Sequence, residues 1–226
     1  MSGAVRGSGR LVAIEGIDGS GKGTQSRLLA EALRRDHTVA ELTFPQYEQT
    51  RFGKQIRRML AGEFGPLDHL PPELTALLFA GDRFESADRL ADLLSDHEVV
   101  VCDRYVASNA AHQAGRLTEP RRAQLLDFLD WLEHDRYQLP RADATVLLDL
   151  PSEVAIENIR RRSATTGRAI DLAESDAAHL EQTASVYRET AATQGWLVVR
   201  CDDDGTMLGR AQIAAQIEAA VRSTLG

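Results

Sequence analysis

The sequence predicts an α/β fold, a parallel five-stranded sheet with helices on both faces. Three observations carry this. Short apolar runs alternate along the whole chain with longer stretches of helical spacing. Five strand-like runs begin near residues 11, 38, 98, 145 and 196, and those near 11 and 98 are continuously apolar, as strands covered on both sides must be. The first run ends in a glycine-rich loop that opens directly into an amphipathic stretch, which requires a strand, a tight loop and a helix in that order.

That first unit is Arg10 to Glu15, then Gly16-Ile17-Asp18-Gly19-Ser20-Gly21-Lys22-Gly23-Thr24, then Leu28, Leu29, Ala32 and Leu33 at helical spacing. Backbone N–H groups can wrap a polyphosphate only where side chains are absent, and a helix N-terminus adds positive dipole character behind them. Gly16, Gly19 and Gly21 supply the absence, and Lys22 follows as the point charge for phosphate oxygens in a G-x-x-x-x-G-K pattern. The next position, normally a magnesium-binding Ser or Thr, is Gly23. Thr24 stands one residue late, so metal duty passes to Asp18, to other carboxylates or to water.

With 226 residues, 43% of them hydrophobic, the chain suits one domain over residues 10–226 with a short lid, preceded by a disordered tail over residues 1–9. A net charge of −8 argues against non-specific binding to nucleic acid or to a membrane surface, while small anionic ligands remain open. Cys102 and Cys201 each end an apolar run without metal-type spacing and read as buried free thiols in a reducing compartment. No apolar stretch approaches the roughly 18 residues needed to span a bilayer, and residues 1–9 lack an apolar signal core, so a cytoplasmic protein is expected.

Beyond the first helix, Thr38 to Phe44 reads as a strand closed by the corner Phe44-Pro45-Gln46-Tyr47, and Phe52 to Leu60 returns to helical spacing. Pro72 suits a first helical position, and Leu74, Leu77, Leu78 and Phe79 start one long helix continuing towards Leu94, with Arg83 on the face of Phe79. Glu98 to Cys102 is a buried strand delivering Asp103 and Arg104 at its carboxyl end, where parallel sheets bind ligands. Those two charges also suit a plain surface pair. Val106 to Ala114 reads as a helix, and Leu125, Phe128, Leu129 and Leu132 form an apolar stripe for core or subunit contact. Thr145 to Leu150 is the fourth strand, and the helix after Pro151 carries Arg160, Arg161 and Arg162. Together with Arg168 beyond Gly167, they read either as a solvated face or as a phosphate-closing lid over about 160–172. A helix through Val186 to Ala192, a strand from Trp196 to Arg200, and a terminal helix with Ile213, Ile217, Ala220 and Val221 complete the chain.

The glycine loop, the Phe44-Pro45-Gln46-Tyr47 corner, the Phe79 and Arg83 pair and the stretch Asp103-Arg104-Tyr105-Val106-Ala107-Ser108-Asn109 together resemble the bacterial thymidylate kinases, from Arg10 onward. The Leu139-Pro140-Arg141-Ala142-Asp143 run and the Gly167-Arg168 lid are similar to the mycobacterial branch. The resemblance implies a P-loop nucleoside-monophosphate kinase fold, a homodimer, and ATP-dependent phosphorylation of thymidylate (dTMP) with Mg2+. It implies that Gly16, Gly19, Ser20, Gly21, Lys22, Gly23 and Thr24 hold ATP phosphates, with Arg161, Arg162 and Arg168 as lid arginines. It places Asp18 near the acceptor phosphate, metal and sugar, Phe79 on thymine, Arg83 on its exocyclic oxygen, and Asn109 against the base. Tyr47 and Arg104 would fix the acceptor phosphate, Phe44, Ser108 and His112 would complete the dTMP pocket, and Asp18 with Asp103 would place magnesium. Lys22, Asp18, Arg104 and Arg168 are the implied catalytic set.

Besides Gly23, two positions depart from the family pattern. Ile170 stands where a lid arginine is common. His112 stands where Tyr or Phe usually lies against the sugar, and an imidazole there is expected to offer a 2′-hydroxyl a hydrogen bond. Phosphoryl transfer asks the protein for alignment and charge neutralisation, and no nucleophilic side chain is required. Two rivals stay open at this point: a nucleotide-binding switch, for which no Asn-Lys-x-Asp guanine motif is present, and a deoxynucleoside or other monophosphate kinase on the same scaffold.

Overall fold

The computed structural model describes residues 8–167, 171, 173, 174 and 176–225. Its sheet is built from β1 (Arg10–Glu15), β2 (Val39–Thr43), β3 (Val99–Asp103), β4 (Ala144–Asp149) and β5 (Leu197–Arg200), all parallel, in the order β2-β3-β1-β4-β5. Side chains of a strand alternate between faces, and here both faces are dry. Val12, Ile14, Val99 and Val101 point into one cluster with Leu29 and Leu33, while Leu11, Ala13, Val100 and Cys102 point into another with Leu90 and Leu94. Burying each such side chain contributes about 1.5–3 kcal/mol, so the apolar runs that predicted strands also hold the layers together.

The helices are α1 (Lys22–Leu33), α2 (Arg51–Leu60), α3 (Pro72–Glu85), α4 (Ala87–Asp96), α5 (Val106–Ala114), α6 (Arg121–Asp130), α7 (Ser152–Thr166), α8 (Ala177–Gln194) and α9 (Arg210–Leu225). A π-helical stretch, Trp131–Arg136, continues α6. A two-stranded hairpin, β6 (Asp202–Asp203) with β7 (Thr206–Met207), follows the sheet.

Two features differ from expectation. The single helix from Pro72 towards Leu94 is two helices, because the chain leaves α3 at Ser86, whose hydroxyl donates to Asp82 O at 2.9 Å. Gly9, the last residue of the expected tail over residues 1–9, is buried and donates to Leu94 O at 2.9 Å; a Cβ there would meet His97 O at 2.3 Å. The hairpin was not anticipated at all. Of the expected lid, residues 160–166 form the last turns of α7, whereas Arg168 and Ile170 lie outside the described residues.

The register aligns the carboxyl ends of the central strands. Ile14 pairs with Asp103 and Thr43 with Asp103, so the glycine loop, the Asp103-Arg104 step and the Phe44-Pro45 corner leave the sheet side by side. The Phe44–Pro45 peptide bond is cis.

Candidate active site

The glycine loop is shaped by close approach. At Gly19, with φ +84°, a Cβ would lie 2.3 Å from Ala155 O, so no other residue fits against α7. Gly21, with φ 89°, takes the position before α1. Lys22 is buried and folds back over the loop, donating to Ile17 O at 2.8 Å with Asp18 at 3.9 Å. Burial, reinforced by Arg104, pushes its ammonium pKa down to about 8 against the pull of Asp18.

Across the cleft, Arg104 has φ 68°, an unfavourable region for a side-chain-bearing residue that persists only where neighbours fix it. Those neighbours are identifiable. Arg104 N donates to Ile14 O at 3.1 Å, and its guanidinium pairs with Asp18 and donates to Ser108 Oγ at 3.3 Å. Burial works against the charge of Asp18, but Arg104 and Lys22 overcome it and hold the carboxyl well below the usual range. The segment after Arg104 is tied down by Glu15, fully buried at the end of β1. Glu15 accepts from Tyr105 N at 2.8 Å and Ser108 N at 3.3 Å, from Ser108 Oγ at 2.5 Å, and from the Tyr187 hydroxyl at 3.0 Å. A carboxylate at the first turn of α5 also suits the helix dipole.

A second buried acid organises the far end. Glu133 is 0% exposed and takes Arg83, itself 2% exposed, through Nε at 2.5 Å and Nη2 at 2.6 Å. Asn109 Nδ2 donates to Glu133 Oε1 at 2.9 Å and to Ala76 O at 3.0 Å. Two acceptors fix the amide's orientation, and its Oδ1 is left buried with no hydrogen-bond partner among the described residues. Burial disfavours the Arg83 cation, yet Glu133 raises its pKa overall. A third acid, Asp82, is also fully buried and accepts from Gln46 N at 3.0 Å and from the Thr50 hydroxyl, fastening the Pro45 corner to α3.

One cleft of about 1200 Å³ joins these parts. It is lined by Asp18, Gly19, Gly21, Lys22, Gly23 and Thr24 at one end, and by Phe44, Tyr47, Phe79, Arg83, Ser108, Asn109 and His112 at the other, with Asp103 and Arg104 between them. Gly16 and Ser20 are buried behind the loop instead of lining it; a Cβ on Gly16 would lie 2.8 Å from Leu148 O. Arg161 and Arg162 reach the cleft, but each is engaged, Arg161 with Asn158 Oδ1 at 2.5 Å and Arg162 with Glu174 at 2.7 Å.

Sequence reasoning missed several lining residues. The β6–β7 hairpin places Met207 Cε 3.5 Å from where a Cβ on Gly21 would stand, and Asn158 Nδ2 donates to Gly19 O at 3.1 Å. Asn158, Arg116 and His179 were also overlooked. The expectation for His112 changes: its Nε2 faces Arg104 at 3.3 Å and its Nδ1 faces His179 at 3.4 Å, so neither nitrogen is free for a 2′-hydroxyl.

For a metal, the described residues hold no cluster of three or more ligating side chains. Two features nonetheless suit a cation shared with phosphates. Asp103 Oδ1 is buried without a hydrogen-bond partner among the described residues, and Asp103 Oδ2 stands 3.0 Å from the place a Cβ on Gly23 would take. The carboxylate therefore occupies the side of the loop that a hydroxyl at position 23 would otherwise reach. Burial pushes its pKa up, against Lys22 and Arg104.

A parallel sheet in this order, a glycine cradle at the start of α1, and a second pocket facing it across the same cleft are the features of a P-loop kinase of the nucleoside-monophosphate type. The family model described as thymidylate kinase matches residues 14–203. A thymidylate kinase of Mycobacterium tuberculosis is 40% identical over 200 residues, covering 86% of this chain and 92% of its own. A probable thymidylate kinase of Pyrococcus horikoshii is 37% identical over 161 residues, or 70% and 73%. The solved structure of the Candida albicans thymidylate kinase matches the fold with a TM-score of 0.73 at 24% identity, over 97% of this chain and 94% of that one. The chain belongs to the thymidylate kinase family.

Proposed function

We infer that the cleft transfers the terminal phosphoryl group of ATP to thymidylate, giving the diphosphate and ADP. The observation that carries this reading is the pairing, in one cleft of a thymidylate kinase family chain, of the Lys22 cradle with an opposing pocket ending in Arg83, Asn109 and Phe79.

On the donor side, loop amides and Lys22 hold the phosphates, and Lys22 leaves Ile17 O for a phosphate oxygen as the nucleotide enters. Arg161 and Arg162 close over the nucleotide once released from Asn158 and Glu174, and Arg168 joins them as a lid arginine. On the acceptor side, Tyr47 and Arg104 hold the monophosphate, and Asp18 keeps Arg104 in place beside the sugar. Phe44, Ser108 and His112 close the pocket round the sugar and phosphate. Phe79 stacks on the base. With Nε and Nη2 of Arg83 spent on Glu133, Nη1 is left to donate to an exocyclic oxygen, while Asn109 Oδ1 accepts from a ring N–H. Thymine offers that pair, whereas cytosine presents an amino group and a bare ring nitrogen, a mismatch worth several kcal/mol in a dry pocket. Acceptor and donor are thereby aligned for in-line transfer, with cationic side chains meeting the charge that spreads over the equatorial oxygens.

Mg2+ accompanies ATP, and Asp18 and Asp103 are the residues proposed to hold it, directly or through water; when bound, it neutralises phosphate charge. A homodimer is proposed as well, supported by Leu74, Phe84 and Trp131 standing exposed on α3 and just beyond α6. No helix among the described residues is long and apolar enough to cross a membrane, and Cys102 and Cys201 are both free and buried, which supports the cytoplasm as the compartment.

A coupled assay of ADP release tests the reading with thymidylate, deoxyuridylate, deoxycytidylate and thymidine. Thymidylate is expected to be the best acceptor, deoxyuridylate a weaker one because only a methyl contact of about 1 kcal/mol is lost, and the other two very poor. Equal rates with thymidine would contradict the acceptor-phosphate role of Arg104, and equal rates with deoxycytidylate the base-reading role of Arg83 and Asn109.

A further inference from the structure

Two imidazoles meet where the acceptor phosphate and sugar are proposed to sit. His112 comes from α5 and His179 from the first turn of α8, with ring centroids 5.6 Å apart, His112 Nδ1 3.4 Å from His179 Nε2, and His112 Nε2 3.3 Å from Nη1 of Arg104. The proton positions follow from chemistry, because a guanidinium only donates. His112 Nε2 must therefore accept from Arg104, which puts the proton of His112 on Nδ1. That N–H points at His179 Nε2, which must in turn accept, so His179 carries its own proton on Nδ1. Arg104, His112 and His179 thus form a chain of donors running one way, and it closes only when both rings are neutral. A second proton on either ring would set two donors against each other.

The surroundings favour that neutral state. Burial lowers both pKa values; Arg104, Lys22 and His179 act in the same direction on His112, and Arg116 on His179, while Asp18 opposes at both rings and Asp176 at His179. From α8, the Tyr187 ring stands edge-on to His112 at 6.2 Å. His179 is also held from its own helix start, where its backbone N–H donates to Asp176 Oδ1 at 3.0 Å.

We propose that His179 is a positioning residue for the acceptor-phosphate arginine: it receives the Nδ1 proton of His112, keeping His112 in the tautomer that accepts from Arg104. The proposal rests on the acceptor role given to Arg104. Asp18 takes Nη2 of the guanidinium, and His112, with Ser108, takes Nη1, so the group is held at both ends. Its strained backbone alone would not define its side chain. The sugar then meets carbon edges of His112 and no free nitrogen.

The test combines a tautomer measurement with kinetics. Two-bond 1H–15N correlation spectra of the ligand-free protein at neutral pH should show His112 in the Nδ1–H form. In His179→Leu this form should no longer be held, and the thymidylate KM should rise about tenfold while the ATP KM stays within twofold, since binding of one substrate is affected and not the other. His179→Gln, which keeps an acceptor at similar reach, should return the thymidylate KM to within about threefold of the wild type. An Nε2–H or doubly protonated His112 in the wild-type spectrum overturns the proposal by itself. So does an unchanged KM in His179→Leu, or equal damage from Leu and Gln, which would mean packing alone. Failure of the acceptor reading shows separately, as an Arg104→Ala variant whose thymidylate KM is unaltered.

Discussion

Replacing Glu133 with alanine should destabilise the protein more than any other surface-remote single change at the acceptor end, and the size follows from its burial. The carboxylate is 0% exposed and binds Arg83, 2% exposed, at 2.5 and 2.6 Å, with Asn109 Nδ2 on the same oxygen at 2.9 Å. Removing one member of such a pair leaves a charge stranded in a dry site, at a cost of about 3–5 kcal/mol. With a urea m-value of about 3 kcal/mol/M, the unfolding midpoint should fall by roughly 1–1.7 M. The pair itself is a weak source of stability, because its attraction is largely cancelled by desolvation. The double variant Arg83→Met with Glu133→Leu should therefore recover most of the lost midpoint while its thymidylate KM stays raised at least tenfold. Equilibrium urea unfolding followed by far-UV circular dichroism measures the first, and steady-state kinetics the second. A loss below about 1 kcal/mol in Glu133→Ala, or a double variant no more stable than the single one, would refute the reasoning.

Other outcomes are expected. Lys22→Ala should lower turnover by at least a hundredfold with little change in unfolding midpoint, since its amine bonds a loop carbonyl and its charge meets Asp18 only at 3.9 Å, where Arg104 also pairs with that carboxylate; near-normal rates would remove it from the donor site. Asp103→Asn should raise the magnesium concentration for half-maximal rate several-fold. Gly23→Ser should lower that concentration only if the Asp103 carboxylate gives by a few tenths of an ångström, because the new Cβ stands 3.0 Å from Oδ2; a lowered requirement in Asp103→Asn would count against the metal role. Acidification should destabilise the fold early. His112 and His179 have depressed pKa values, so the unfolded chain binds more protons as pH falls below about 6.5, and stability present above that pH is lost at up to about 1.4 kcal/mol per pH unit per ring until the folded rings titrate. Urea midpoints at pH 7.5 and 5.5 in wild type and His179→Leu check this, the variant showing the shallower loss.

The sheet was legible because its central strands are buried on both faces: Val99 to Cys102 has no alternation to misread, and five strand-like runs separated by helical spacing imply a parallel sheet, although their order across it, with the partly exposed β2 and β5 at the edges, could not be read. The glycine loop was legible because backbone approach forbids side chains, as at Gly19. What could not be read were the groups that hold site residues from behind. Glu15, Asp82 and Glu133 each look like ordinary surface acids in a chain with 34 Asp and Glu residues. Only their places betray them, Glu15 closing an apolar strand and Glu133 four residues after buried Leu129 on the apolar stripe of α6. The break at Ser86 carries no glycine or proline, so α3 and α4 merged in a reading based on periodicity. The hairpin had a signal in Asp204-Gly205, both with positive φ, the residues of a tight two-residue turn, but strands of two residues have no detectable period. The link between His112 and His179 joins residues 67 apart, and spacing along the chain holds no trace of it.

The central claim is that one cleft passes a phosphoryl group between two nucleotides, and 31P NMR of the products addresses it most directly. With ATP, magnesium and thymidylate, the account predicts the α- and β-phosphate doublets of thymidine diphosphate growing in one-to-one proportion with ADP, and no inorganic phosphate. Inorganic phosphate in place of the diphosphate would mean that the Lys22 cradle serves hydrolysis or a switch, and would contradict it.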